Sequence, residues 1–396
     1  MRAPASTWDG RWVALALLGV YYAMLFLTGP GSELVARWRL AGVYAHPVPF
    51  IDLQVFPAAR ATLAAGQELY GPSVADPLRR PYNYPRLWLA FMRFPADKGM
   101  LCVTGVLMAV VATGSVLLFW GRLTPATGVW GGLLLCSPAF QLGVERGNTD
   151  LLLLTLVAAG AWLAGDRGGW RAARALWWIA GVLKLYPVVA LAADLDGGWR
   201  AWIRRTWLPL VLFAGYLAVS WRDLPAVLHN TGGGWVQSYG SEVPAAAWAQ
   251  VQAFYHGAAS ENFKGIGRAL AVLAALGMLI RGWRAGAAKM APEPTRALLG
   301  FRAGALIYLG TFIAGSSFDY RQGFLLLTLP QLLAWQRGGH RWAAAALVAL
   351  LPSLGLNYLL GGWPGFFLNE AAGWFLVPVL AFLLGASWRR AEPAAG

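Results

Sequence analysis

Apolar residues in this chain gather into runs close to the length of a bilayer-crossing helix, and most of the charge falls in the connections between them. The first run extends from about Trp12 to Thr28. A long mixed stretch follows, residues 30–98, holding Pro, Gly, Tyr and charges of both signs; a loop of that length must carry structure of its own. Within it Phe56, Ala59 and Leu63 recur at helical spacing, Pro57 suits a first turn and Gly66 a stop, which predicts a short helix lying on the membrane. PYNYPRLWLAFMRFP is apolar but too short to span, so it reads as a second interfacial or re-entrant helix. Crossings are then expected over about Met100–Trp120, Thr127–Leu142 and Leu151–Leu163. LWWIAGVLKLYP and VVALAADL form a broken hairpin, and a seventh crossing ends near Trp221. A second large loop, residues 222–264, precedes an eighth crossing to RGWRAGAAKMAPEPTR. A ninth covers about Ala297–Gly315, and three more end at WRRAEPAAG.

Composition agrees with that pattern: 58% of the 396 residues are hydrophobic and only 13% charged, which sets the chain apart from soluble domains. The expected fold is all-α and polytopic, about twelve transmembrane helices in one integral domain over residues 1–396. The net charge of +14 is mostly Arg in short connections. With twelve crossings every multiply basic short loop lies on the cytoplasmic side together with Arg2 and Arg11, while loops 30–98 and 222–264 face outward. Topology thus accounts for the basic excess, and no nucleic-acid partner is expected. The amino-terminal segment lacks a suitably placed small-residue cleavage site and reads as an uncleaved first helix of a multi-pass cell-membrane protein. Cys102 and Cys136 sit within apolar runs without CxxC spacing. His46, His229, His256 and His340 form no HExxH, and no Walker loop, GxGxxG turn or Ser-His-Asp order occurs. Neither a metal nor another cofactor is expected.

Ionisable groups at membrane segments are costly, by a few kcal/mol, and so are candidates for function. Asp52 stands just beyond the first crossing, where a carboxylate stays ionised; its other reading is a turn residue. Arg60 lies two helical turns further on, and Tyr82 and Tyr84 share the loop, able to stack on sugars or to belt the interface. Lys184, beside Tyr186 and Pro187, is an anion contact, or else a snorkelling side chain or half of an internal ion pair. ERGNTD sets Glu145, Arg146, Asn148 and Asp150 at one turn, as substrate contacts or as a capped hairpin. Asp319 and Arg321 in SSFDYRQ are open to the same two readings, although Arg suits a phosphate fork. His256 is a phosphate contact or a loop residue.

Three blocks, IDLQVFPAARATLAAGQELY with its following YNYP, ERGNTDLLLLTL and AGVLKLYPVVAL, resemble in that order the membrane glycosyltransferases of family 87, within the C-type superfamily; SSFDYRQGFLLL is a looser echo. The resemblance covers about the first half of the chain. It implies a C-type architecture, a polyprenyl-phosphate sugar donor and a lipid or glycan acceptor. It also implies Asp52 as catalytic base and Lys184 facing the donor phosphate. Because a leaving lipid phosphate needs stabilising cations, Arg146 and Arg321 are expected as further phosphate contacts. Arg60, Tyr82, Tyr84, Glu145, Asn148, Asp150, Tyr186, His256 and Asp319 are the expected substrate contacts. Relatives often have Gly-Gln-Val-Asn where this chain has Gly147, Asn148, Thr149 and Asp150, and an aromatic residue where it has Pro57, so the sugar, of mannose or pentose type, stays open. The expected activity is inverting sugar transfer on the periplasmic or exterior side; the rival readings are a transporter or flippase of a lipid-linked or anionic solute, and a non-enzymatic scaffold.

Overall fold

The computed structural model describes residues 9–27, 32–93, 97–196, 198–256, 263–285 and 295–388, and they are predominantly helical. The first apolar run is α1 (Arg11–Phe26), followed by α2 (Ser32–Leu40), which the sequence reading did not anticipate. The surface helix expected around Phe56 is α3 (Val55–Ala64), with Pro57 in its first turn and Gly66 just past its end at φ 68°. PRLWLAFMRFP contributes only the short α4 (Leu87–Phe91). Next come α5 (Lys98–Trp120), α6 (Pro125–Leu135), α7 (Pro138–Arg146), α8 (Asp150–Arg167) and α9 (Trp170–Lys184), the last running into a 3-10 helix over Tyr186–Asp194.

The second half begins with α10 (Trp199–Val219) and α11 (Leu224–Asn230), then strand β1 (Ser238–Tyr239), α12 (Val243–His256), α13 (Lys264–Ala285) and α14 (Arg296–Ala314). β2 (Ser317–Phe318) pairs antiparallel with β1, Ser238 opposite Phe318, and so ties the 222–264 loop to the segment that carries Asp319 and Arg321. A second 3-10 helix (Asp319–Thr328), α15 (Leu329–Arg337), α16 (Arg341–Ser353), α17 (Leu356–Leu360) and α18 (Gly362–Trp388) complete the described chain.

Four helices among the described residues, α5, α13, α14 and α18, are long and apolar enough to cross a membrane; counting α6–α7 and α10–α11 each as one bent span gives six. These long apolar helices mark a membrane-embedded protein. The expected count of about twelve is not met, for an identifiable reason. Several runs that look continuous by hydropathy are cut into pieces shorter than the roughly 20 residues a span requires, or, as with the 21-residue α10, turn sharply into the next helix. Ser137 and Pro138 bend α6 against α7 by 52°, and α10 turns into α11 by 87°. Leu185 ends α9, and the expected tenth crossing is half 3-10 helix.

One large apolar core runs through the molecule, with α14 at its centre against both 3-10 helices, α8 and α18. α13 crosses α18 at Gly282 and Gly385, where an added Cβ would lie 2.0 Å from the Phe382 carbonyl and 2.1 Å from the Leu279 carbonyl, so the two backbones themselves are in contact. α10 keeps only Thr206 fully buried and presents Ile203, Trp207, Leu208, Val211 and Leu212 outward, as a lipid-facing helix does. At one end of the core a charged clasp joins α14 to the first 3-10 helix and α18. Arg302, 1% exposed, is 2.9 Å from Asp196 and donates to the Ala193 carbonyl and to both Ser387 oxygens. Arg174 and Arg205 hold the neighbouring Asp194 at 2.6 and 3.5 Å.

Candidate functional site

Asp52 lies in the turn before α3, fixed to the end of α7 by backbone pairing: Phe50 N–H donates to the Glu145 carbonyl (3.1 Å) and Asp52 N–H to the Arg146 carbonyl (3.0 Å). Gly147 permits this approach. It closes α7 in the left-handed conformation at φ 61°, and a Cβ there would meet the Phe50 side chain at 3.0 Å and that of Leu53 at 3.1 Å. Both Asp52 oxygens are held. Arg80 Nη1 donates to Oδ1 at 2.8 Å, and Asn148 Nδ2 donates to Oδ2 at 2.7 Å. Each carboxylate oxygen retains a second lone pair for another donor.

Behind Asp52, Asn148 links it to a buried charged group. Its Oδ1 accepts from Lys184 Nζ (3.2 Å) and from the Asp150 N–H (3.0 Å), which fixes the amide with Nδ2 toward Asp52. Lys184 also donates to Thr149 Oγ1 at 3.3 Å and to Asp150 Oδ1 at 2.7 Å, so the three protons of its ammonium are all engaged. The rings of Tyr84 and Tyr320 lie 5.1 and 5.5 Å from Nζ. Arg321 completes the group, with Nε 3.7 Å from Asp150 Oδ2, Nη1 donating to Ser317 Oγ and the guanidinium 5.2 Å over the Tyr186 ring.

Asp52 opens onto a cavity of about 360 Å³ whose polar groups come from Arg80, Asn83, Tyr84, Arg146, Asn230, Gln237 and Tyr320 and whose remaining wall is apolar, including Val55, Leu142 and Phe318. Among the described residues lining it, Asp52 is the one acidic residue. Arg146 is braced there by Gln237 Oε1 (3.2 Å), the Tyr44 carbonyl (3.3 Å) and Glu145 (3.3 Å). Burial works against the Arg80 charge, but the Asp76 and Asp52 carboxylates outweigh it and hold the guanidinium above its ordinary value. On the other side of the paired 50–52 and 145–146 segments lies a larger, chiefly apolar groove of about 1130 Å³. Leu15, Leu18 and Tyr22 of α1 face Val106, Val110 and Thr113 of α5 across it, and His46, Phe50 and Glu145 stand at its polar end. The His46 N–H donates to Glu145 Oε1 at 2.8 Å, and its Nδ1 accepts from Val48 N–H at 3.1 Å. Burial, then the Arg146 and Arg80 charges, depress the His46 imidazole below its ordinary value. Backbone strain gathers here as well. Among the described residues the non-glycines with positive φ are Phe50, Arg79, Leu185 and Gln237, each lining a cavity or adjoining Arg80 or Lys184. Such positions cost on the order of 1–3 kcal/mol apiece and persist where the surroundings over-determine them.

The chain matches no protein-family model, no curated protein and no solved structure. Of the residues singled out by sequence, Asp52, Tyr84 and Arg146 line the smaller cavity and Glu145 the groove. Asn148, Asp150, Lys184, Tyr186 and Arg321 form the layer behind Asp52 and are not on the cavity wall. Three others are occupied elsewhere. Arg60 donates to the Leu89 carbonyl at 2.5 Å, Tyr82 is 1% exposed with its hydroxyl on the Pro85 carbonyl, and Asp319 accepts from Gln322. His256 ends α12, and its side chain lies outside the described residues. Arg80, Asp76, Asn83, Asn230, Gln237 and Tyr320 were not anticipated. The one signal for the first two is the i, i+4 spacing of Asp76 and Arg80 in DPLRR, which otherwise reads as a solvated turn.

Proposed function

We propose that the protein is an inverting glycosyltransferase of the C-type kind, using a polyprenyl-phosphate sugar and an acceptor hydroxyl on the outer side of the membrane. The observation that carries this reading is the adjacency of the two cavities. A carboxylate and two guanidiniums face a space of sugar size, and one thin wall away an apolar groove lies between α1 and the membrane-crossing α5. That pairing matches a substrate with a sugar-phosphate head and a long hydrocarbon tail. In the reaction the acceptor oxygen attacks the anomeric carbon as the bond from that carbon to the phosphate oxygen breaks. The phosphate leaves with the electron pair, and the hydroxyl proton passes to Asp52. Arg80 and Arg146 face the departing phosphate, which needs cations and no general acid. Lys184 acts from behind, through Asn148.

Asp52→Asn keeps the bond from Arg80 and removes the base. With purified protein and a panel of polyprenyl-phosphate sugars, product followed by mass should fall by about 100-fold or more, on the scale of a lost general base, while donor binding persists. Turnover retained in this variant would overturn the base assignment.

A further inference from the structure

The guanidinium of Arg80 is almost fully committed to protein. Nε–H and one Nη2–H form a fork on Asp76, to Oδ1 at 3.2 Å and Oδ2 at 3.0 Å. The other Nη2–H reaches the Ile51 carbonyl at 2.7 Å, and one Nη1–H reaches Asp52 Oδ1 at 2.8 Å. Of five donors this leaves a single Nη1–H, on a residue that lines the smaller cavity. Asp76 is the anchor. Its side chain is 0% exposed, it also accepts the Leu78 and Arg80 N–H groups at 2.8 and 3.1 Å, and it does not line the cavity. The preceding Arg79 is held at φ 53°, a strained turn whose effect is to aim the Arg80 side chain back across 28 residues onto Asp52.

A plain loop staple would need only the Asp76 fork. The additional bonds to Ile51 and Asp52 grip the base from its own backbone and its own carboxylate at once. We propose that Arg80, anchored by Asp76, is the positioning residue of the Asp52 carboxylate, fixing which oxygen lone pair faces the acceptor hydroxyl and presenting its one spare N–H to the anionic part of the substrate. The inference rests on the proposed base role of Asp52. It replaces Lys184, whose protons are all engaged, as the cation nearest the chemistry.

The test measures kcat and donor KM separately for full-length wild type, Arg80→Gln, Arg80→Lys, Asp76→Asn and Asp52→Asn, with thermal unfolding of each. Loss of a charge-assisted bond to the base should lower kcat in Arg80→Gln by about 10- to 100-fold, with a smaller rise in KM. Arg80→Lys should recover part of kcat, because an ammonium meets Asp52 without making the fork. Asp76→Asn should lower kcat less than Arg80→Gln does. Wild-type kcat in Arg80→Gln, with Asp52→Asn inactive, overturns this inference and leaves the base role standing. Equal losses in the Gln and Lys variants that only track unfolding temperature reduce Arg80 to a staple and overturn it too. Turnover retained in Asp52→Asn, or no transfer from any donor by wild type, overturns the base reading and this inference with it.

Discussion

His46 occupies a position that only a neutral imidazole satisfies. Nδ1 must be bare to accept from Val48, and two guanidiniums stand near. Because its folded value is depressed, the stability it contributes is complete above the ordinary imidazole value of about 6.5 and is lost as pH falls through the lower folded value. His46→Asn should keep an acceptor near Nδ1 without the titration. The unfolding midpoint of wild type should therefore drop relative to His46→Asn between pH 7 and pH 5, and parallel curves would remove the imidazole from the account. The same residue scale shows what the sequence could and could not disclose. Asp52, Asn148, Asp150, Lys184 and Arg321 stood out because a charged or amide group beside an apolar run is costly without a purpose. They do converge, but through partners that no local pattern announces. Arg80 is such a partner, since contact with a residue 28 positions away leaves no trace in spacing. Lys184 was expected to meet a phosphate, and nothing in AGVLKLYP reveals that Asn148, Thr149 and Asp150 already surround it.

Elements were legible in kind more than in continuity. α1, α3, α5, α13, α14 and the end of α18 fall close to where hydrophobic runs place them, and the break after Lys184 follows from Pro187. The misjudged elements are those that tertiary packing divides: the bend between α6 and α7, and the 3-10 helix that begins at Asp319. Only its second half, residues 324–327, is apolar and continues into α15, and there hydropathy cannot separate a buried 3-10 turn from part of a span. The clasp around Arg302 joins side chains 106 positions apart, which no local pattern announces. Its geometry makes a prediction for these elements. Arg302→Met removes the Asp196 contact and leaves a carboxylate only 7% exposed without it, a loss typically of about 3–5 kcal/mol. The unfolding temperature should fall sharply, and adding Asp196→Leu should recover much of the loss. Failure of the second substitution to recover any stability would mean that α14, the first 3-10 helix and α18 are joined by packing alone.

At the scale of the whole molecule, the arrangement separates two cavities by a wall two backbone segments thick, with Asp52 and Arg146 lining the smaller one and Phe50 and Glu145 the chiefly apolar groove. Four of the site's features depend on chain segments far apart in sequence: the 44–52 turn, the 76–84 loop, the end of α7 and the β1–β2 pair. The β pair matters because Gln237, next to β1, and Tyr320, just past β2, close the smaller cavity from the second half of the chain. If the groove holds the hydrocarbon of a lipid-linked donor, chain length and groove volume must be coupled. Gly114 on α5 lines that groove, and a Cβ there would meet nothing within 4 Å, so a larger side chain enters open space. Gly114→Leu should also favour the helix, by roughly 1 kcal/mol, so lost activity could not be assigned to unfolding. Occupying the groove should raise KM for a long-chain polyprenyl-phosphate sugar several-fold and leave a short-chain analogue nearly unaffected, with kcat for both near wild type. Equal KM changes for the two donors would place the lipid elsewhere, and unchanged KM for both would make this groove a packing defect between α1 and α5 instead of a substrate path.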